Sequence, residues 1–224
     1  KKLSDYATIK KDHDLHAPVV SLESASFAMK TLQSVRPSPI AGTWYSANPK
    51  DLESRVDRYL AAARLPEIPG EVIAVMAPHA GHFYSGPVAG YAFAAVKGMK
   101  PELVAVVSPM HYPYPYPLLT SLHRAYATPL GEIPVDTLAV EALDRLLQER
   151  LGESLTGVAQ DPEHSLEIEL PFLQRALPQP FTLLPVMVHE QSEATVRALG
   201  EALAQVLLDR NALLVASTDL SHFY

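Results

Sequence analysis

Cysteine is absent from the 224 residues of this chain, so neither a disulfide framework nor a thiolate zinc site can form within them. No apolar run approaches the roughly 18 residues of a membrane span, and the N-terminus lacks the apolar core of a signal peptide. Positive charge is also scarce, because 18 Lys and Arg face 25 Asp and Glu, for a net charge of −7. That balance argues against a general nucleic-acid binder, which must neutralise phosphates. We therefore expect a cytoplasmic protein with neither a membrane nor a nucleic-acid partner.

Signature loops for nucleotide binding and serine hydrolysis are missing as well. Neither GxGxxG nor GxxxxGK[ST] occurs, which disfavours nucleotide binding through those loops. No G-x-S-x-G elbow occurs, which disfavours a serine hydrolase. What the chain does contain is 48% hydrophobic and 19% charged residues, a composition typical of one globular domain.

The character of the chain changes near residue 36. Residues 1–35 are polar and show no sustained hydrophobic period, so we predict an N-terminal arm or leader there. Residues 36–224 form the predicted domain. The last apolar run ends shortly before the chain does, whereas a parallel strand normally continues into another helix. We therefore expect residues 36–224 to lack the C-terminal part of the domain.

Four short apolar runs predict buried β-strands, because they are continuous rather than alternating and are bounded by turn residues. They cover residues 72–77, 103–107, 181–188 and 212–217. Pro185 lies inside the third run and lacks an N–H donor, which predicts an edge strand or a bulge. The alternating prolines of HYPYPYP, residues 111–117, exclude both a helix and a central strand there.

Helical periodicity occupies the stretches between these runs. The first predicted helix begins near Asn48 and ends before Pro66. Four further predicted helices cover residues 87–96, 135–151, 165–177 and 192–209. Strands that alternate with helices and are apolar throughout predict an α/β fold, with a mostly parallel central sheet and helices on both faces.

A histidine follows each predicted strand. In an open α/β sheet, ligands bind outside the carboxyl ends of the strands. Imidazoles delivered to that edge by separate strands are what a metal site or an acid–base site requires. Neutral imidazole suits iron, zinc, copper and nickel. The histidines in these positions are His79, His111, His189 and His222.

Structural explanations compete with this functional one. His79 and His111 are equivalently placed after their strands, which favours metal ligation over capping of the next helix. We expect His82 to be a solvated loop residue and His189 to belong to an ordinary helix start. For His164 a neutral, hydrogen-bonded role at the site stays open, whereas Asp161 and Glu163 before it suit the positive end of a helix.

Asp219 and His222 lie three positions apart after the last predicted strand. Asp219 could orient a histidine, bind a metal ion or cap whatever follows. His222 is suitably placed for a general acid or base, because the ordinary pKa of histidine lies near neutrality.

Several motifs taken together resemble the Memo family, also known as protein B of the AmmeMemoRadiSam system. The resemblance covers residues 36–224. Its matching stretches are PSPIAGTWY at 37–45, APHAGHFYSGPVAG at 77–90, SPMH at 108–111, EHSLEIELPFL at 163–173, LLPVMV at 183–188 and ASTDLSH at 216–222.

The resemblance implies a fold similar to that of the class III extradiol ring-cleaving dioxygenases, with a non-haem metal site. By this resemblance His79 and His111 bind the metal and His222 is the acid–base catalyst. His164 and Asp219 match further catalytic residues of the pocket. The third metal position of the family, a cysteine or a glutamate, lies beyond residue 224.

The leading expectation is therefore a metal-binding protein with oxidoreductase or dioxygenase-type chemistry. Iron(II) is the expected cofactor, with copper or zinc as alternatives, and the ligand is an unknown small molecule or peptide. The name of the family's system suggests radical SAM and AMMECR-type partner proteins. Two other functions stay open: a non-catalytic scaffold that binds a peptide or ligand in the same pocket, and hydrolysis at zinc.

Overall fold

Nine strands and five α-helices make up the computed structural model of the chain, which describes residues 32–220. The strands are β1 Leu32–Arg36, β2 Ala74–Ala77, β3 Leu103–Pro109, β4 Leu118–Ser121, β5 His123–Thr128, β6 Gly131–Pro134, β7 Thr156–Val158, β8 Thr182–Val188 and β9 Ala212–Ser217. The helices are α1 Pro49–Ala62, α2 His82–Ala94, α3 Thr137–Leu151, α4 Leu170–Ala176 and α5 Glu193–Leu207. A short 3₁₀ turn, Glu167–Glu169, leads into α4.

The central sheet has six strands in the order β2-β9-β3-β8-β4-β7. The four predicted strands are β2, β9, β3 and β8, which form one contiguous parallel block. Only β4 runs against its neighbour β8, while β7 is parallel to β4. The predicted mostly parallel sheet is therefore confirmed, and it brings the carboxyl ends of four strands to one edge.

Helices cover the sheet in two separate groups. Helices α1, α2 and α4 pack against one another, and α3 packs against α5. Consecutive residues of β3, Leu103 to Val106, are all buried although they point alternately to opposite faces. Both faces of the sheet centre are therefore covered, as the continuous apolar run predicted.

Proline and capping residues set the helix boundaries. Asn48 caps α1 by accepting a hydrogen bond from the Asp51 N–H, and Pro49 occupies the first helical turn. Asp136 caps α3 in the same way, by accepting a hydrogen bond from the Ala139 N–H. The predicted helix at 165–177 divides at Leu170 into the 3₁₀ turn and α4, with Pro171 in the first turn of α4. No helix within residues 32–220 is long and apolar enough to cross a membrane.

A second sheet of three strands, β1-β5-β6, was not predicted. Its strands mix polar with apolar residues, so they lack the continuous apolar runs that mark the predicted central strands. Strand β1 pairs in parallel with β5 and starts at Leu32, within the predicted arm. The rest of that arm, residues 1–31, lies outside the described residues.

The prediction that Pro185 marks an edge or a bulge is wrong. Strand β8 lies between β3 and β4 and pairs with β3 in unbroken register. The Pro185 carbonyl accepts a hydrogen bond from Thr120 Oγ1 of β4, so the backbone polar groups of this residue face β4 rather than β3. The missing N–H therefore removes no bond from the β3–β8 ladder.

Helix α2 begins at His82, five positions before the predicted start at Pro87. Two glycines on this helix let α1 approach closely. A Cβ atom on Gly86 would lie 2.6 Å from the ring of Tyr59 in α1, and one on Gly90 would lie 2.7 Å from the Tyr59 carbonyl oxygen. The contact between α1 and α2 therefore depends on the absence of a side chain at both positions.

Substitution of Gly90 by alanine is expected to destabilise the fold by about 1–3 kcal/mol, because the backbone of α1 must move to admit the methyl group. The matched control is Gly200→Ala in α5, where an added Cβ has no neighbour within 4 Å. That change is expected to stabilise the helix by about 0.5–1 kcal/mol. Urea unfolding measures both, and equal effects would contradict this account of the α1–α2 contact.

Candidate metal centre

The predicted site residues come together at the carboxyl edge of the parallel block. His79 follows β2, His111 follows β3 and Asp219 follows β9. These three strands are neighbours in the sheet, in the order β2-β9-β3. His164 joins them from the segment between β7 and the 3₁₀ turn. His222 lies outside the described residues.

Three histidines form a group that could hold a metal ion. One ring nitrogen from each of His79, His111 and His164 lies within 4.8 Å of the others. The His111 and His164 rings stack with their centroids 4.8 Å apart, and the His79 ring meets both edge-on. Imidazole nitrogens at this spacing are suitable ligands for zinc, copper, iron or nickel.

His79 is the buried member of the group, with 3% of its surface exposed. Its Nδ1 lies 3.0 Å from Ser217 Oγ, and its backbone N–H donates to Asp219 Oδ1 over 2.7 Å. Burial lowers the pKa of His79 to about 4, although the nearby Asp219 carboxylate acts in the opposite direction. The ring is therefore neutral at pH 7, which is the form that binds metals.

Glu163 holds the other two histidines in place. Its buried carboxylate accepts hydrogen bonds from the backbone N–H of His111 over 2.6 Å and of His164 over 2.8 Å. It also lies 3.0 Å from His111 Nδ1 and 3.1 Å from His164 Nδ1. Because an ionised carboxylate can only accept, this contact fixes the hydrogen of the His111 ring on Nδ1. Such outer carboxylates orient metal-binding histidines.

Opposing effects set the charge of Glu163. Burial alone would raise the pKa of its carboxyl group, but the hydrogen bonds from His111 and Ser165 outweigh burial and leave the pKa below its ordinary value. Glu163 is therefore ionised at neutral pH. Burial also lowers the pKa of His164, so its ring tends to be neutral beside that carboxylate.

A buried ion-pair network supports the loop that carries Glu163. Arg36, at the end of β1, donates to Asp161 Oδ2 over 2.6 Å, to the Glu163 carbonyl over 2.6 Å and to the Glu167 carboxylate. Burial would lower the pKa of Arg36, but Asp161 and Glu167 raise it above its ordinary value, so it stays charged. Tyr45 completes the network by donating to Glu167 Oε1.

Asp161 and Glu163 have partners that the sequence pattern did not indicate. They were expected to complement the positive end of a helix, and the Glu163 carboxylate does accept from the His164 and Ser165 N–H groups that lead into the 3₁₀ turn. The structure also pairs Asp161 with Arg36 and places Glu163 beside the rings of the two histidines. Spacing along the chain could not reveal this, because Arg36 lies 125 positions from Asp161.

Trp44 is a further site residue that the sequence argument missed. Its ring packs on that of His164 with the centroids 4.0 Å apart, and 37% of its surface is exposed. Trp44 belongs to the PSPIAGTWY stretch, which was noted only for the resemblance. An exposed aromatic face therefore borders the histidine group on its solvent side.

Two other histidines lie outside the group. The prediction of a solvated His82 is wrong, because its ring is buried against Tyr45 and Phe172 and lies 2.9 Å from the Ile168 carbonyl. His189 is exposed, and its backbone N–H donates to the Pro117 carbonyl. His82 is therefore a core residue, and His189 a loop residue.

Comparison with known proteins places these features in a family context. The sequence pattern of the family described as Memo-like protein matches residues 36–224. A MEMO1 family protein of Methanopyrus kandleri is 34% identical over 198 residues, which cover 84% of this chain and 69% of the relative. One of Thermotoga neapolitana is 34% identical over 200 residues, with 84% and 71% covered. One of Nitrosopumilus maritimus is 29% identical over 194 residues, with 84% and 69% covered.

Acid is expected to destabilise the fold through His82. Burial lowers the pKa of His82 to about 4, despite the hydrogen bond to Ile168, whereas an unfolded histidine titrates near 6.5. The unfolded chain therefore binds the proton more tightly. This contribution to stability is present above about pH 6.5 and is lost as the pH falls towards 4, with about 2 kcal/mol gone between pH 7 and pH 5.

The variant His82→Gln isolates that contribution, because glutamine offers an N–H but does not titrate. Urea unfolding of both proteins at pH 7 and pH 5 gives the comparison. The variant is expected to lose about 2 kcal/mol less than the wild type over this range. An identical loss in both proteins would show that His82 is not the residue responsible.

Proposed function

The chain belongs to the Memo-like protein family, and we propose that it binds a divalent metal ion through His79, His111 and His164. One observation carries the proposal: three ring nitrogens lie within 4.8 Å of one another, at the sheet edge where α/β proteins bind ligands. The resemblance suggested His79 and His111 as ligands and a catalytic role for His164. We assign His164 to the metal because its ring nitrogen lies in the same group.

The residues present fit a metal ion chemically. Each of the three rings has Nδ1 next to a protein oxygen, from Ser217 for His79 and from Glu163 for the other two. That arrangement leaves Nε2 of each ring for a ligand bond. Three imidazoles with oriented rings are a donor set that iron(II), copper and zinc accept, and iron(II) is the proposed ion.

We propose redox chemistry of the dioxygenase type as the activity of this centre. Bound iron(II) would supply the one-electron and dioxygen chemistry that protein side chains lack. The residues of the chain would bind the substrate and move its protons. Asp219 Oδ2 lies 3.7 Å from His79 Nε2, so its carboxylate is placed to accept a proton at the centre. The acid–base role of His222 remains part of this proposal.

An exposed aromatic ring borders the centre. Trp44 packs on His164 and is 37% exposed. A flat aromatic face beside the histidine group favours an unsaturated small molecule or a peptide over a small ion as the substrate. Following the family resemblance, we also propose that the protein works in the cytoplasm beside radical SAM and AMMECR-type partners.

Exposed aromatic side chains favour a second function, a scaffold that binds a peptide without chemistry. Phe83 and Tyr84 follow His82 at the start of α2 and are 77% and 78% exposed. Aromatic side chains of this kind are common anchors in protein interfaces. The two functions differ in one measurable respect, because the scaffold requires no metal ion for ligand binding.

Metal content measured by mass spectrometry on protein purified without oxygen tests the proposal. Near-stoichiometric metal is expected in the wild type, and almost none in His79→Ala, His111→Ala or His164→Ala. The matched control is His189→Ala, an exposed histidine outside the group, which should keep wild-type metal content. Circular dichroism shows whether each variant is folded. Full occupancy in the three site variants would overturn the site.

The identity of the metal directs the second measurement. Oxygen uptake with catechols and other oxidisable substrates is expected only in the iron-loaded protein, and loss of uptake in His79→Ala would tie it to the centre. Activity with zinc and without dioxygen would instead favour hydrolysis. Peptide binding that is equal with and without metal would favour the scaffold.

A further inference from the structure

A buried hydroxyl group lies directly behind His79, and the proposed metal chemistry does not use it. Ser217 ends strand β9 and is 3% exposed. Its Oγ has three polar neighbours: the Ser165 carbonyl oxygen at 2.6 Å, Glu169 Oε1 at 2.9 Å and His79 Nδ1 at 3.0 Å. A hydroxyl group has one hydrogen to donate and two lone pairs that accept.

The number of hydrogens available in this cluster determines which ring nitrogen of His79 carries a hydrogen. The Ser165 carbonyl can only accept, and it is the shortest of the three contacts, so it receives the Ser217 hydrogen. Ser217 Oγ then has only lone pairs left for its other two neighbours. His79 Nδ1 must therefore carry a hydrogen and donate it to Ser217. Its Nε2 consequently keeps a free lone pair.

The same reasoning assigns the protonation state of Glu169. Its side chain is buried, and its Oε1 faces Ser217 Oγ, whose only hydrogen is donated to the Ser165 carbonyl. A neutral carboxyl group can donate an O–H to Ser217, whereas a carboxylate would place two acceptors against each other. Burial raises the pKa of Glu169 well above its ordinary value, in agreement with this assignment.

We infer that Ser217, held by Glu169 and the Ser165 carbonyl, is a positioning residue that keeps the His79 hydrogen on Nδ1 and presents Nε2 to the metal ion. This inference rests on the proposed metal binding. The groups that orient these two histidine rings differ in kind. His111 is oriented by an ionised carboxylate, whereas His79 is oriented by a neutral hydroxyl group. Outer partners of this kind commonly change metal affinity about 10- to 100-fold.

The test measures the ring directly and does not depend on activity. Long-range ¹⁵N–¹H NMR of the metal-free chain at pH 7 distinguishes the two neutral forms of histidine, and the His79 signal is identified by its loss in His79→Gln. The wild type is expected to show hydrogen on Nδ1. Ser217→Ala removes the acceptor, so the His79 ring should shift towards hydrogen on Nε2.

Zn²⁺ is the probe for metal affinity, because it is redox-inert and accepts imidazole ligands. Competition with a chelating dye should show about 10- to 100-fold weaker Zn²⁺ binding in Ser217→Ala. The conservative variant Glu169→Gln keeps an N–H for Ser217 and should match the wild type in both measurements. The matched control is Ser108→Ala in β3, whose buried hydroxyl has no hydrogen-bond partner within the described part of the chain.

Hydrogen on Nε2 in the wild type would overturn the inference, and so would a Ser217→Ala variant with unchanged ring form or unchanged Zn²⁺ affinity. The wild-type spectrum decides the ring form even if Ser217→Ala does not fold. A wild type that shows Nδ1–H and binds no metal would instead refute the proposed function, so the two failures are distinguishable.

Discussion

The buried guanidinium of Arg36 is the interaction on which the site depends. It joins the end of β1, in the three-stranded sheet, to the loop that carries Glu163 and His164. A buried cation is costly unless it is fully paired, and here two carboxylates and a carbonyl oxygen satisfy it. Removal of one partner would leave a buried charge. The loop is therefore held in one arrangement by electrostatics rather than by regular secondary structure.

Glu163 connects this loop to the imidazole rings and holds two of them in position. Its carbonyl oxygen binds Arg36, while its carboxylate binds His111 and His164. A single residue thus connects the structural ion pair to two members of the histidine group. The third member, His79, is oriented through Ser217 at the end of β9, which in turn donates to the Ser165 carbonyl of the same loop. The group thus combines a charged support with a neutral one.

Sequence patterns were sufficient for the central sheet and for the address of the site. The continuous apolar runs identified β2, β3, β8 and β9, and His79, His111 and Asp219 at the ends of β2, β3 and β9 do lie at one edge of the sheet. The same patterns missed β1, β5 and β6, in which polar and apolar residues are mixed and form no continuous apolar run. Local pattern also cannot reveal a partner that is distant along the chain, which is why the pairing of Asp161 with Arg36 and of Glu163 with His111 was missed.

His82 shows the same limit for a single residue. Its place in a loop-like PHAG segment suggested solvent, and only the packing of Tyr45 and Phe172 around it reveals a core position. The prediction for Pro185 failed because a proline can lie within a central strand when its backbone polar groups face away from the neighbouring strand's ladder. Here they face β4 rather than β3. Both errors concern tertiary contacts that leave no local sequence signal.

The long-range contacts behind the histidines have a consequence for the order of folding. Arg36 meets Asp161 across 125 positions, and His79 meets Ser217 across 138. Contacts so distant along the chain form only after much of the entropy of loop closure has been lost. The ring geometry is thus a product of the completed fold, and isolated peptides that carry these histidines would lack it. A nascent chain would bring the three imidazoles together only at the last stage of its assembly.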